Sequence, residues 1–121
     1  MVKALIVDDN PQLADSLGMM LSLFDIQAKK AYGSRPALVA LQDFTPDAVF
    51  LDINMPGVSG FDVLGFLKRE PRLENVPVIV VTSDDQPETT ERAKQAGVKA
   101  VIIKPVTMEA LEDALKETQL V

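Results

Sequence analysis

Five short apolar runs punctuate the chain, at residues 3–7, 25–31, Ala48–Leu51, 76–81 and 99–103. The first, third and fourth are nearly unbroken in aliphatic residues, the pattern of strands buried on both faces. Residues 25–31 mix lysine and glutamine among the apolar positions and read as an edge strand. The gaps between the runs carry helical periodicity. Residues 11–24 place Leu13, Leu17, Met20, Leu21 and Phe24 on one stripe, with Asn10 as a cap and Pro11 in the first turn. Residues 34–44 repeat the pattern with Leu38, Leu41 and Phe44, and residues 59–70 with Phe61, Leu64 and Leu67 before Pro71 stops the helix. Residues 107–119 carry Met108, Leu111 and Leu115. Residues 87–96 offer only Ala93 and Ala96, so this helix is expected to be locally weak.

Strand and helix alternate five times, which implies an α/β fold with a parallel sheet covered by helices on both faces. Right-handed crossovers restrict the topology, and the order 2-1-3-4-5 is the common five-stranded solution. Sites in such sheets form beyond the carboxyl ends of the strands. The 121 residues fit a single domain spanning 1–121, and no linker, repeat or low-complexity stretch divides them.

Composition removes several kinds of chemistry. No cysteine and no histidine are present, so disulfides, thiolate metal sites and imidazole catalysis are excluded. Any metal must be a hard cation held by oxygen, such as Mg²⁺. The net charge of −6 argues against non-specific binding to nucleic acid or to an anionic membrane. No apolar run approaches membrane-spanning length, and residues 1–7 lack a signal-peptide layout, so a cytoplasmic protein is expected.

Polar residues collect where the topology puts a site. The first strand ends at Asp8 and Asp9, the third at Asp52 with Asn54 following, the fourth at Thr82 and Ser83, and the fifth at Lys104 with Pro105 following. Taken singly, each has an ordinary explanation as a helix cap, a satisfied hydroxyl or a surface charge. Together, three acids, a hydroxyl and a lysine fall at the correct end of four neighbouring strands. Clustered carboxylates repel one another unless they are protonated or hold a cation. Asp9 and Asp52 can ligate Mg²⁺ directly and Asp8 through water. A carboxylate can also act as a nucleophile and form an aspartyl-phosphate. Phosphoryl transfer asks for positioning and charge neutralisation more than for acid–base work, which suits a site without histidine. Mg²⁺, Lys104 and the Thr82 hydroxyl could hold the phosphoryl oxygens.

The segments Val7-Asp8-Asp9-Asn10, Leu51-Asp52-Ile53-Asn54-Met55-Pro56-Gly57, Val80-Val81-Thr82-Ser83 and Ile103-Lys104-Pro105, with the intervals between them, resemble the response-regulator receiver domain over essentially the whole chain. The resemblance implies a flavodoxin-like, three-layer (βα)5 sandwich. It implies that Asp52 accepts phosphate from a histidine kinase or phosphotransfer protein. Asp8 and Asp9 would organise Mg²⁺, with Asp52 and the Asn54 carbonyl as further ligands. Thr82 would be the switch hydroxyl, Lys104 the phosphate-binding cation with Thr82 and Ser83 beside it, and Asn54 and Asp84 the residues that tune dephosphorylation. It also implies a cis Lys104–Pro105 bond. A downstream protein or a covalently linked output domain would read a surface formed by residues 87–96, 99–103 and 107–119. Two features depart from the family: Val101 replaces a common aromatic residue, and Lys99-Ala100 replace the acids found in many dimeric DNA-binding members.

Three other readings fit less well. A haloacid-dehalogenase-like phosphatase wants an aspartate two positions after the nucleophile, where Asn54 stands. A flavin carrier of flavodoxin type wants a phosphate-cradling loop after the first strand, where Asp8-Asp9-Asn10-Pro11 would repel phosphate without a metal. A phosphorylation-independent interaction module would have no use for the complete acidic set.

Overall fold

The computed structural model of the chain describes residues 1–55, 57 and 59–121. The strands are β1 (Val2–Val7), β2 (Ile26–Ala31), β3 (Ala48–Leu51), β4 (Val78–Thr82) and β5 (Ala100–Ile103). The helices are α1 (Pro11–Ser22), α2 (Ser34–Ala40), α3 (Gly60–Arg69), α4 (Pro87–Gln95) and α5 (Met108–Glu117). All strand pairings are parallel, in the order β2-β1-β3-β4-β5.

The unbroken apolar strands serve two cores at once because successive side chains alternate between faces. Leu5, Val7, Val49, Leu51, Val78 and Val80 face α2, α3 and α4, where Ala37, Leu41, Val63, Leu64, Leu67 and Ala93 close the layer. Ala4, Ile6, Ala48, Phe50, Ile79 and Val81 face α1 and α5, where Ala14, Leu17, Leu21, Leu111, Ala114 and Leu115 close the other. Each fully buried leucine or phenylalanine contributes about 1.5–3 kcal/mol. Strand β2 stands at the sheet edge, which explains its polar interruptions.

Local signals set the element ends. The Asn10 side chain accepts from the amides of Gln12 (3.0 Å) and Leu13 (3.3 Å) and starts α1. The Asp62 carboxylate reaches back to the Ser59 amide at α3 (3.1 Å), and Thr107 caps α5 through the Ala110 amide (3.1 Å). Asp25 adopts a left-handed conformation (φ 60°), so the second strand begins at Ile26, one residue later than its pattern suggests. The fourth strand is displaced from 76–81 to Val78–Thr82, which makes Thr82 its last residue. Helix α2 ends at Ala40, short of Phe44, and Arg72 donates to the carbonyls of Leu41 and Phe44 just beyond it.

The helical stripes are narrower than the sequence periodicity suggests. Leu13 (43%) and Met108 (40%) are exposed, while Ala14 and Ala114 take buried places. Ala96 lies past the end of α4 and is exposed, leaving Ala93 as the buried residue of that helix. Arg92 on α4 stacks 3.8 Å from the ring centroid of Phe61 on α3. Among the described residues, no helix is long and apolar enough to cross a membrane.

Candidate functional site

Because the strands are parallel, the ends of β1, β3, β4 and β5 meet along one edge. Asp8 follows β1 and Asp52 follows β3. Their carboxylates are drawn in by the strands they terminate, and both residues are buried to 6% exposure. Asp9, one residue further, is exposed. One oxygen from each of Asp8, Asp9 and Asp52 lies within 4.8 Å of the others. Lys104, the first residue after β5, brings its Nζ to 3.0 Å from Asp8 Oδ2 and 3.5 Å from Asp52 Oδ2. One ammonium against three carboxylates leaves a local excess of negative charge. The donor set is all oxygen, as a hard divalent cation requires, so the cluster could hold such an ion.

Backbone amides fix the two buried carboxylates. The Asn10 amide donates to Asp8 Oδ1 (2.9 Å), and the Asn54 amide donates to Asp52 Oδ1 (3.0 Å). These bonds leave Oδ2 of both residues turned to Lys104. Burial pushes the Asp52 carboxyl above the usual carboxylate range. The Asn54 amide and Lys104 pull the other way, and the Asp8 charge adds to the rise.

Thr82 is fully buried at the end of β4. Its Oγ1 accepts from the Asn54 side-chain amide (3.1 Å) and from the Asp84 backbone amide (3.1 Å). The Asp84 carboxylate in turn accepts from the Gln86 amide (2.9 Å) and the Thr89 hydroxyl (2.7 Å). Those two bonds, the amide first, hold its carboxyl below the usual range. A hydrogen-bonded path therefore runs from Asp52 through Asn54, Thr82 and Asp84 into the first turn of α4.

The fold brings together Asp8, Asp9, Asp52, Asn54, Thr82, Asp84 and Lys104, which the sequence singled out. Ser83 is exposed and, among the described residues, makes no hydrogen bond to the cluster. Val101 is half-buried on β5 and packs against the core layer that contains Ala93 of α4. The Lys104–Pro105 bond is cis, as the resemblance implies.

Sequence reasoning missed two residues of this region. Thr89 reads as an ordinary helical threonine, and only its partner Asp84 five residues earlier hints at a cap. Gly60 falls inside the helical pattern of residues 59–70 with nothing to mark it, but a Cβ there would lie 2.3 Å from the Asp52 carbonyl oxygen and 2.5 Å from Ile53 Cα. Helix α3 therefore docks its first residue directly on the backbone of the buried aspartate.

Comparison with known proteins agrees with this geometry. The family model of the response regulator receiver domain matches residues 4–116. Protein PilH of Pseudomonas aeruginosa is 34% identical over 111 residues, covering 92% of each chain. A probable cyclic di-GMP phosphodiesterase of Vibrio cholerae is 33% identical over 89% of this chain, which spans only 24% of that protein. The crystallised chemotaxis protein CheY4 of Vibrio cholerae superposes with a TM-score of 0.90 at 25% identity, covering 98% of both chains. Fold, acidic pocket and sequence agree: the chain belongs to the response regulator receiver domains of two-component signalling.

Proposed function

We propose that this domain is a phosphorylation switch with Asp52 as its phosphoacceptor. The carrying observation is the pairing of one lysine with two buried aspartates: Lys104 Nζ reaches Asp8 at 3.0 Å and Asp52 at 3.5 Å. In transfer from a phosphohistidine, an Asp52 carboxylate oxygen attacks phosphorus while the phosphorus–nitrogen bond breaks and its electron pair returns to the departing imidazole. The Asn54 amide holds the other oxygen and orients the attack. Lys104 faces the oxygens on which charge develops. The Thr82 hydroxyl is a further donor once it turns from Asn54 toward a phosphoryl oxygen, and Ser83 lies beside it.

Asp8, Asp9, Asp52 and the Asn54 carbonyl would hold Mg²⁺, which when bound neutralises the carboxylates and the transferred group. Asn54 and Asp84, which both bond Thr82, tune how long the phosphoryl group persists. The donor is a histidine kinase or a phosphotransfer protein in the cytoplasm. Relatives of this length and relatives several times longer suit either a separate downstream protein or a linked output domain. The readout surface is α4, β5 and α5.

Incubation with acetyl phosphate, with and without Mg²⁺, followed by intact-mass measurement tests the assignment. One phosphoryl adduct is expected with Mg²⁺, and none with chelator or in Asp52→Asn. Full labelling of Asp52→Asn would overturn the site.

A further inference from the structure

Beside the carboxylates lies a cavity of about 160 Å³ that the phosphoryl chemistry above does not use. It is bounded by α1, the inner face of the sheet, and the segment that follows Lys104. Leu13, Leu17, Met20, Phe50, Val81 and Val106 form much of its apolar wall. Asp8, Asp52 and Lys104 form its polar rim. Leu13 and Pro105, both exposed, also line it, so the space opens at the surface instead of being sealed in the core. Protein interiors are close-packed, and an apolar space of roughly 150 Å³ is large enough for a ring the size of benzene. This one adjoins the oxygens that would hold a phosphoryl group.

We propose that the cavity is an acyl subsite, which receives the hydrocarbon part of small acyl phosphate donors larger than acetyl phosphate. The inference rests on Asp52 as the phosphoacceptor. Apart from Ser16 the wall beyond the rim is apolar, so it favours a branched alkyl or aryl chain over a polar leaving group. The reaction balances without a proton or a redox step. A bond forms between an Asp52 carboxylate oxygen and phosphorus. The bond between phosphorus and the acyl oxygen breaks, and its electron pair leaves with the free carboxylate anion.

Isobutyryl phosphate is the informative donor. Its leaving group has nearly the basicity of acetate, so intrinsic reactivity is matched, yet it carries two further carbon groups. Burying them, at about 0.8 kcal/mol each, corresponds to roughly a tenfold preference. With full-length protein and Mg²⁺, labelling by isobutyryl phosphate, acetyl phosphate and phosphoramidate is followed by intact mass. The expected result is a kcat/KM about tenfold higher for isobutyryl than for acetyl phosphate, with the difference in KM. Met20→Phe on α1 and Val106→Phe in the segment after Lys104 fill the space, and the ratio should fall toward one in both. A native ratio of one, or a ratio that survives both fillings, overturns the subsite. If none of the three donors labels Asp52, the phosphoacceptor assignment falls and takes the subsite with it; labelling by phosphoramidate separates the two failures.

Discussion

Asp52 is a carboxylate that burial works against, and two neighbours hold it in place without restoring its full preference for charge. A carboxyl whose folded pKa lies above its unfolded value binds protons more readily when folded. Its contribution to stability therefore falls as pH rises through that window and is unfavourable at neutral pH. Asp52→Asn should accordingly raise the melting temperature in chelator at pH 7. For a domain of this size, 1 kcal/mol corresponds to roughly 4 °C, and thermal unfolding followed by circular dichroism reads the difference. Added Mg²⁺ should stabilise the native protein more than the variant and narrow or reverse the gap. Gly60 is a second residue with a sharp expectation. Because a Cβ would collide with backbone and not with a flexible side chain, Gly60→Ala should cost about 2 kcal/mol or more, measured by urea unfolding. Tyr32 is a third. Its hydroxyl donates to Asp15 (2.9 Å), and that bond pushes its phenol above the usual value of 10.0. As the single tyrosine in a chain without tryptophan, it can be titrated by ultraviolet absorbance. Asp15→Asn should bring the midpoint down.

Helix α4 is the element with the least to bury. It has one buried side chain, Ala93, and is otherwise held by the Arg92–Phe61 stack and by the Asp84 bonds to Gln86 and Thr89. Loosely packed segments open first. Asp84→Ala should therefore speed amide exchange in Pro87–Gln95 severalfold while leaving α1 and α5 unchanged, as read by hydrogen-exchange mass spectrometry. The same carboxylate sits below its usual range, so its contribution is present near neutrality and is lost as pH falls through its folded value. Beryllofluoride, which mimics the phosphoryl group, should change protection in α4 as well as around Asp52. Changes confined to the loops after β1 and β3 would contradict a path through Thr82. This weakness was legible in the sequence, because a helix with two alanines as its apolar residues has little to pack. The cap at Thr89 was not, because a five-residue separation spanning a turn carries no fixed pattern. Nor was the exposure of Leu13. Periodicity places a residue on a stripe but cannot tell whether the stripe meets a packed wall or the mouth of a cavity.

For the molecule as a whole, the alternation of five apolar runs with five helical patterns carried the topology, since parallel strands with short crossovers admit few arrangements. The site was legible for the same reason: Asp8, Asp52, Thr82 and Lys104 interrupt or end apolar runs, and the sheet carries those ends to one edge. The ion pair between Lys104 and Asp8 joins residues 96 positions apart. It forms only when β5, the last strand and an edge of the sheet, has docked on β4. A chain still emerging during synthesis, at roughly 5–20 residues per second, holds its acids for most of that time without their lysine. A fragment cut before Lys104 does so permanently. Assembly of the charged pocket is thus tied to synthesis through residue 104, and a copy clipped before it lacks the cation that the proposed switch uses.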